Sequence, residues 1–116
     1  MKPVYEMRIY TAAPGKLEAL LARFANHTEA LFQRYSIKTI GYWVPLDNTK
    51  NQLLYIVEHA SVEAAEKNWD AFRKDPDWQK LKKETDADVP LAASIERYFM
   101  DKVDFSQFQT GVSSKA

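Results

Sequence analysis

Glu6 and Arg8 stand two residues apart in the run Tyr5-Glu6-Met7-Arg8-Ile9-Tyr10-Thr11. At strand spacing both charges leave the same face, roughly 6.5–7 Å apart along the chain. Two chemistries fit such a pair. It can anchor a polar group of a ligand in a cavity, or it can satisfy itself as a buried charge cluster, because unpaired burial is costly. We favour the cluster and place it inside a subunit interface. On that reading Glu6→Gln should cost less than loss of Arg8, since an amide still accepts and donates. His27 follows Leu20 and Phe24, and precedes Leu31, at helical steps, so it should touch an apolar stripe. An imidazole there can bind a ligand or move a proton near neutral pH, or simply bond to backbone or water. His59 reads as a strand-end residue bonding locally, and adjacent Glu58 points to the opposite face. Tyr42 and Trp43 lie on opposite faces of their strand, one against helices and one at an interface. Together His27, Tyr42, Arg8, Glu6 and Trp43 are the candidate lining of a ligand pocket.

Other chemistries lack their residues. Ser36, Ser61, Ser94 and Ser106 have no nucleophile-elbow context. Two histidines on separate elements, without a His-Glu-x-x-His spacing, do not suggest a metal site. Three glycines in the whole chain cannot build a phosphate-cradling loop or a dinucleotide fingerprint. No cysteine is present, which excludes disulfides and thiolate chemistry. We therefore expect neither metal nor cofactor.

These side chains must be held by a regular scaffold. In the first strand Tyr5, Met7 and Ile9 form an apolar face suited to a core, opposite Glu6, Arg8 and Tyr10. Pro14-Gly15 ends that strand and opens a helix from about 16 to 35. Its stripe is Leu17, Leu21, Phe24, Thr28, Leu31 and Tyr35. A second strand follows over 38–45, with Ile40, Tyr42 and Val44 on one face and Thr39, Gly41 and Trp43 on the other. Gly41 marks a bulge or a close backbone approach. After the polar turn 47–51 a third strand, 52–60, is apolar on both faces and so should be covered on both sides. Ser61 caps a second helix carrying Val62, Ala65, Trp69 and Phe72. Asp75-Pro76 restarts the chain as a short helix with Trp78 and Leu81. The last strand spans 91–100. The order is ferredoxin-like, an α+β βαββαβ subunit with a four-stranded antiparallel sheet and helices on one face. The uncovered sheet face, which should include Trp43 and Tyr10, is best closed by a two-fold dimer.

We read one domain over 1–100 and a polar tail over 101–116, docked on the domain or its partner through Phe105 and Phe108. Lysine plus arginine equals aspartate plus glutamate, 16 each, so no electrostatic footprint for nucleic acid exists. No apolar run is long enough to span a bilayer. The chain enters strand pattern at once, so no targeting peptide is expected, and the protein reads as cytoplasmic.

The pieces Tyr5-Glu6-Met7-Arg8-Ile9-Tyr10-Thr11 with Pro14-Gly15-Lys16, then Gly41-Tyr42-Trp43, then Asp75-Pro76-Asp77-Trp78 occur in the order found in the NIPSNAP family, which this chain resembles over roughly 4–100. The resemblance implies a ferredoxin-like subunit whose sheet packs on a partner's sheet as a dimeric α+β barrel. It implies little about activity. The expected function is a small homodimeric binding or scaffold protein with a modest apolar pocket between helices and sheet. The alternative is a cofactor-independent oxygenase or isomerase on a small aromatic or polyketide-like substrate. That enzyme would use His27 as base and Arg8 or Tyr42 to orient the substrate.

Overall fold

A computed structural model describes residues 2–103 and Phe105. Strand β1 (Val4–Ala12) leads through Gly15, at φ +74, into helix α1 (Leu17–Arg23). That helix passes through a π turn (Phe24–Thr28) into α2 (Glu29–Arg34). Strands β2 (Lys38–Trp43) and β3 (Gln52–His59) form a hairpin. Helices α3 (Val62–Arg73) and α4 (Pro76–Thr85) follow, and β4 (Ala92–Met100) ends the order. The sheet is antiparallel throughout, in the order β2-β3-β1-β4. This is the expected ferredoxin-like α+β subunit.

The faces of β1 are the reverse of the expectation. Glu6, Tyr10 and Ala12 are buried beneath the helices, while Tyr5, Met7 and Ile9 lie half-buried on the face no helix covers. The charged face has buried hydrogen-bond partners waiting on the helix side, whereas methionine and isoleucine need none. Tyr10 thus belongs to the core, not to the open face. In β3, Leu53, Tyr55, Val57 and His59 face the helices, and Leu54, Ile56 and Glu58 the open side.

Strand β2 contains the bulge that Gly41 hinted at. Thr39 pairs with Val57 and Gly41 with Ile56, so Ile40 is the extra residue. The bulge breaks simple alternation. Thr39 and Tyr42 both turn to the helix side and both donate to Glu29 Oε1, each at 2.5 Å. Ile40 and Trp43 are left exposed. The indole of Trp43 folds back over Gly41. A Cβ there would stand 2.8 Å from the Trp43 ring.

The core joins Leu20, Phe24, Leu31, Phe32, Ala65, Trp69 and Phe72 to Tyr10, Leu53, Tyr55 and Val57. Its rings pack edge-on or tilted, as in Phe32 against Trp69 at 5.3 Å between centroids. Helix α3 is capped by Ser61, whose side chain accepts from the Ala64 N–H. Asp75 caps α4 by accepting from the Trp78 N–H, and also takes the Tyr35 hydroxyl and Arg34 Nη1. Those bonds, led by the one from Tyr35, outweigh burial and hold its carboxyl at about 2. Among the described residues no helix is long and apolar enough to cross a membrane. Phe105 is exposed in the single subunit, and Phe108 lies outside the described residues.

Candidate functional site

Among the described residues Glu6 is the best-partnered side chain. It has no exposed surface, and four donors converge on it. Arg8 Nη1 and Arg97 Nε reach Oε2, each at 2.8 Å. His59 Nε2 at 2.8 Å and Trp69 Nε1 at 2.7 Å reach Oε1. The sheet register explains the convergence: Arg8 lies opposite both Tyr55 and Arg97, and Glu6 opposite Val57. Burial pushes the carboxyl up, but the bonds from His59, Trp69 and Arg8 win and hold it at about 2. A carboxylate accepts only, so His59 Nε2 carries a proton, and among the described residues its Nδ1 is buried without a partner.

Arg8 continues the network. Its guanidinium lies over the Trp69 ring at 4.4 Å, and Nε donates to the Tyr55 hydroxyl at 3.0 Å. Tyr55 in turn meets the Tyr10 hydroxyl at 3.0 Å. Burial alone would lower the Arg8 pKa, but the neighbouring tyrosines and Glu6 raise it, so the charge is permanent. The Glu6–Arg8 pair is therefore a closed cluster within one subunit, not in a subunit interface. Sequence reading missed Arg97, Trp69 and Tyr55 because they lie 47 to 91 positions away and meet only through the sheet.

The other candidates lie apart. His27 is exposed on the outer side of the π turn, near Leu31, Asp77 and Leu81. The cause is local. In a regular helix His27 would fall on the buried stripe. The wider π turn rotates it outward, while Thr28, also on the expected stripe, stays inward at 1% exposed. Glu29 N–H then bonds to the Phe24 carbonyl, five residues back, and the Thr28 hydroxyl donates to the Arg23 carbonyl at 3.3 Å. Tyr42 is committed to Glu29, and burial together with that carboxylate raises its pKa well above normal. Trp43 is on the open face. The five residues do not form one pocket.

A cleft does open between helices and sheet, with other walls. Its volume is about 120 Å³, and it lies among Tyr10, Phe24, Phe32, Phe72, Trp78, Ala92 and Ile95. Its polar side is Arg23, Lys82 and Asp86. Arg23 Nη1 donates to Asp86 Oδ1 at 3.0 Å and to the Thr85 hydroxyl at 2.9 Å. Lys82 Nζ donates to Asp86 Oδ2 at 3.0 Å. Two cations share one carboxylate, so the polar side carries a net positive charge. The Arg23 guanidinium also lies 5.1 Å from the Trp78 ring. Tyr10 links the cleft to the Glu6 cluster through Tyr55. Sequence spacing could not find this wall, since it draws on β1, α1, the π turn, α2, α3, α4 and β4. Among the described residues no three metal-ligating side chains cluster.

A four-stranded antiparallel sheet with helices on one face, in the strand order β2-β3-β1-β4, defines a ferredoxin-like α+β subunit. The NIPSNAP family profile matches residues 5–107, and the chain belongs to that family. No match to a curated protein sequence was found. A NIPSNAP family protein of Agrobacterium tumefaciens has a similar structure, with a TM-score of 0.78 and 22% identity over 89% of this chain and 95% of that one. An uncharacterized NIPSNAP-like domain protein of Burkholderia xenovorans gives 0.78 and 18% over 89% and 87%. A protein of Bordetella bronchiseptica named as an antibiotic biosynthesis monooxygenase gives 0.68 and 17% over 90% and 100%. At these identities the likeness is one of fold.

Proposed function

We propose that this chain forms a homodimer that binds a small aromatic molecule in the cleft between its helices and sheet. The observation that carries this is the cleft itself, an aromatic-walled space of about 120 Å³ with one charged side. Its volume suits one ring. Its walls offer edges and faces for stacking, and the Arg23–Asp86–Lys82 side offers polar contacts. The Glu6 cluster is scaffold on this reading, because none of Glu6, Arg8 or Arg97 lines the cleft.

The dimer half of the proposal rests on the open face. Tyr5, Ile40, Trp43, Ile56 and Met100 lie there without a helix above them, and Trp43 is 52% exposed. A second copy of the same face is the simplest cover. The oxygenase alternative keeps no histidine in the cleft, since His27 faces outward.

The test is ligand-observed NMR with a set of single-ring aromatic fragments on wild-type protein and an Ala92→Trp variant. Ala92 lines the cleft, so an indole there should fill it. Fragments that bind the wild type and lose binding in the folded variant support the proposal. Binding that survives the plug contradicts it.

A further inference from the structure

Tyr55 is fully buried, and its phenol oxygen accepts from Arg8 Nε at 3.0 Å. Arginine only donates, so this bond uses an acceptor site of Tyr55 and leaves its proton to be placed. The Tyr10 oxygen, 3.0 Å away, is the acceptor within reach. The opposite assignment, Tyr10 donating to Tyr55, would strand the proton of Tyr55, which is fully buried and does not line the cleft, at the full cost of its desolvation, whereas Tyr10 lines the cleft and can turn its proton there. The direction is therefore Arg8 to Tyr55 to Tyr10.

That order has an end. Tyr10 receives a hydrogen bond, and its own proton has no acceptor among the described residues. Tyr10 lines the cleft. The other end is fixed, because Arg8 is clamped by Glu6 and stacked on Trp69. A cation at the head of a hydroxyl chain polarises each bond along it and makes the last hydroxyl a better donor.

We propose that Tyr10 is a ligand-contacting residue, donating its hydroxyl proton to an oxygen acceptor on the molecule in the cleft, with Tyr55 and Arg8 as positioning residues behind it. This rests on the cleft being a ligand site, and it narrows the ligand class. The occupant is an aromatic ketone, quinone or phenolate, not a plain hydrocarbon ring. The net positive charge of Arg23 and Lys82 against Asp86 favours the same partial negative charge on oxygen.

Acetophenone and α-methylstyrene are matched probes, differing by a carbonyl oxygen in place of a methylene. Dissociation constants for both are measured by NMR titration on wild type, Tyr10→Phe and Tyr55→Phe, with the fold of each variant checked by circular dichroism. Wild type should prefer the ketone by about tenfold, the effect of one neutral hydrogen bond. Tyr10→Phe should bind both probes equally, with its α-methylstyrene affinity unchanged. Tyr55→Phe keeps the Tyr10 hydroxyl but removes its support, and the preference should fall to about twofold. Equal binding of both probes to wild type would overturn the proposal and leave the cleft as an apolar site. Full preference in Tyr55→Phe would overturn the positioning role. Binding of neither probe would remove the ligand site, and this inference with it.

Discussion

Glu6 shows how far a single residue's surroundings can change its meaning. An amide was expected to replace its carboxylate mildly. The structure reverses that, because all four partners are donors. In Glu6→Gln the new NH₂ group would face N–H groups, and the two arginines would lose their counter-charge. We expect a loss of about 3–5 kcal/mol in urea denaturation, the range for breaking a buried ion pair. Arg8→Met, which leaves Glu6 three donors, should cost less, about 1–3 kcal/mol. Equal midpoints for wild type and Glu6→Gln would contradict the cluster. The acid limb follows from the same group. Glu6 is held at about 2 in the fold against an ordinary 4.5, so its stabilisation is complete above pH 4.5 and fades as pH falls toward 2. It amounts to about 3 kcal/mol. Asp75 shifts in the same direction and adds to the same limb. Urea midpoints measured from pH 6 to pH 2 should drop across this window, and drop less in Glu6→Gln. A midpoint that stays flat to pH 2.5 would contradict the assignment.

At the scale of elements, strand and helix order were legible in the sequence, and two irregularities were not. Alternation and caps placed β1, β3, α3 and α4 because Ser61, Asp75-Pro76 and Pro14-Gly15 each carry local physics. The faces of β1 came out reversed because an apolar face is equally suited to a core and to a partner's sheet. Only the distant donors Trp69, His59 and Arg97 decide between them. The π turn was invisible because Phe24 to Leu31 still fits a 3.6-residue stripe, yet it carries His27 from that stripe to the surface. Deleting Asn26, an exposed residue of that turn, should let the helix run on in plain α form with Phe24 and Phe32 still inward. Helical circular dichroism should be retained, with a stability loss of about 1 kcal/mol or less. Loss of cooperative unfolding would show that the turn is needed for the fold. The bulge at Ile40 has a related test. Gly41→Ala must push aside the Trp43 ring, whose far end is free to move on the open face. Dimer dissociation should change more than the unfolding midpoint at fixed subunit concentration. The reverse ranking would place Trp43 outside the contact.

On the scale of the whole molecule, one sheet serves two surfaces. One face is closed by its own helices around Glu6 and the aromatic core, and the other, with Ile40, Trp43 and Ile56, has no helix over it. Sedimentation velocity at micromolar concentration should show a dimer, and Ile56→Glu, which puts a charge at the middle of the open face, should give a folded monomer. A wild-type monomer would contradict the assembly. The aromatic cleft was legible only as a type of place. The sequence supplied Phe72 and Trp78 as helical-layer aromatics, but the wall itself needs Tyr10, Arg23, Asp86 and Ala92 brought together by tertiary packing. That cleft is the centre of the functional account, and the most direct measurement is where a ligand sits. Intermolecular NOEs from bound acetophenone to isotope-labelled protein should reach the rings of Phe24, Phe72 and Trp78. NOEs confined to Tyr5, Ile56 and Met100 on the open face would show that the cleft is not the binding site.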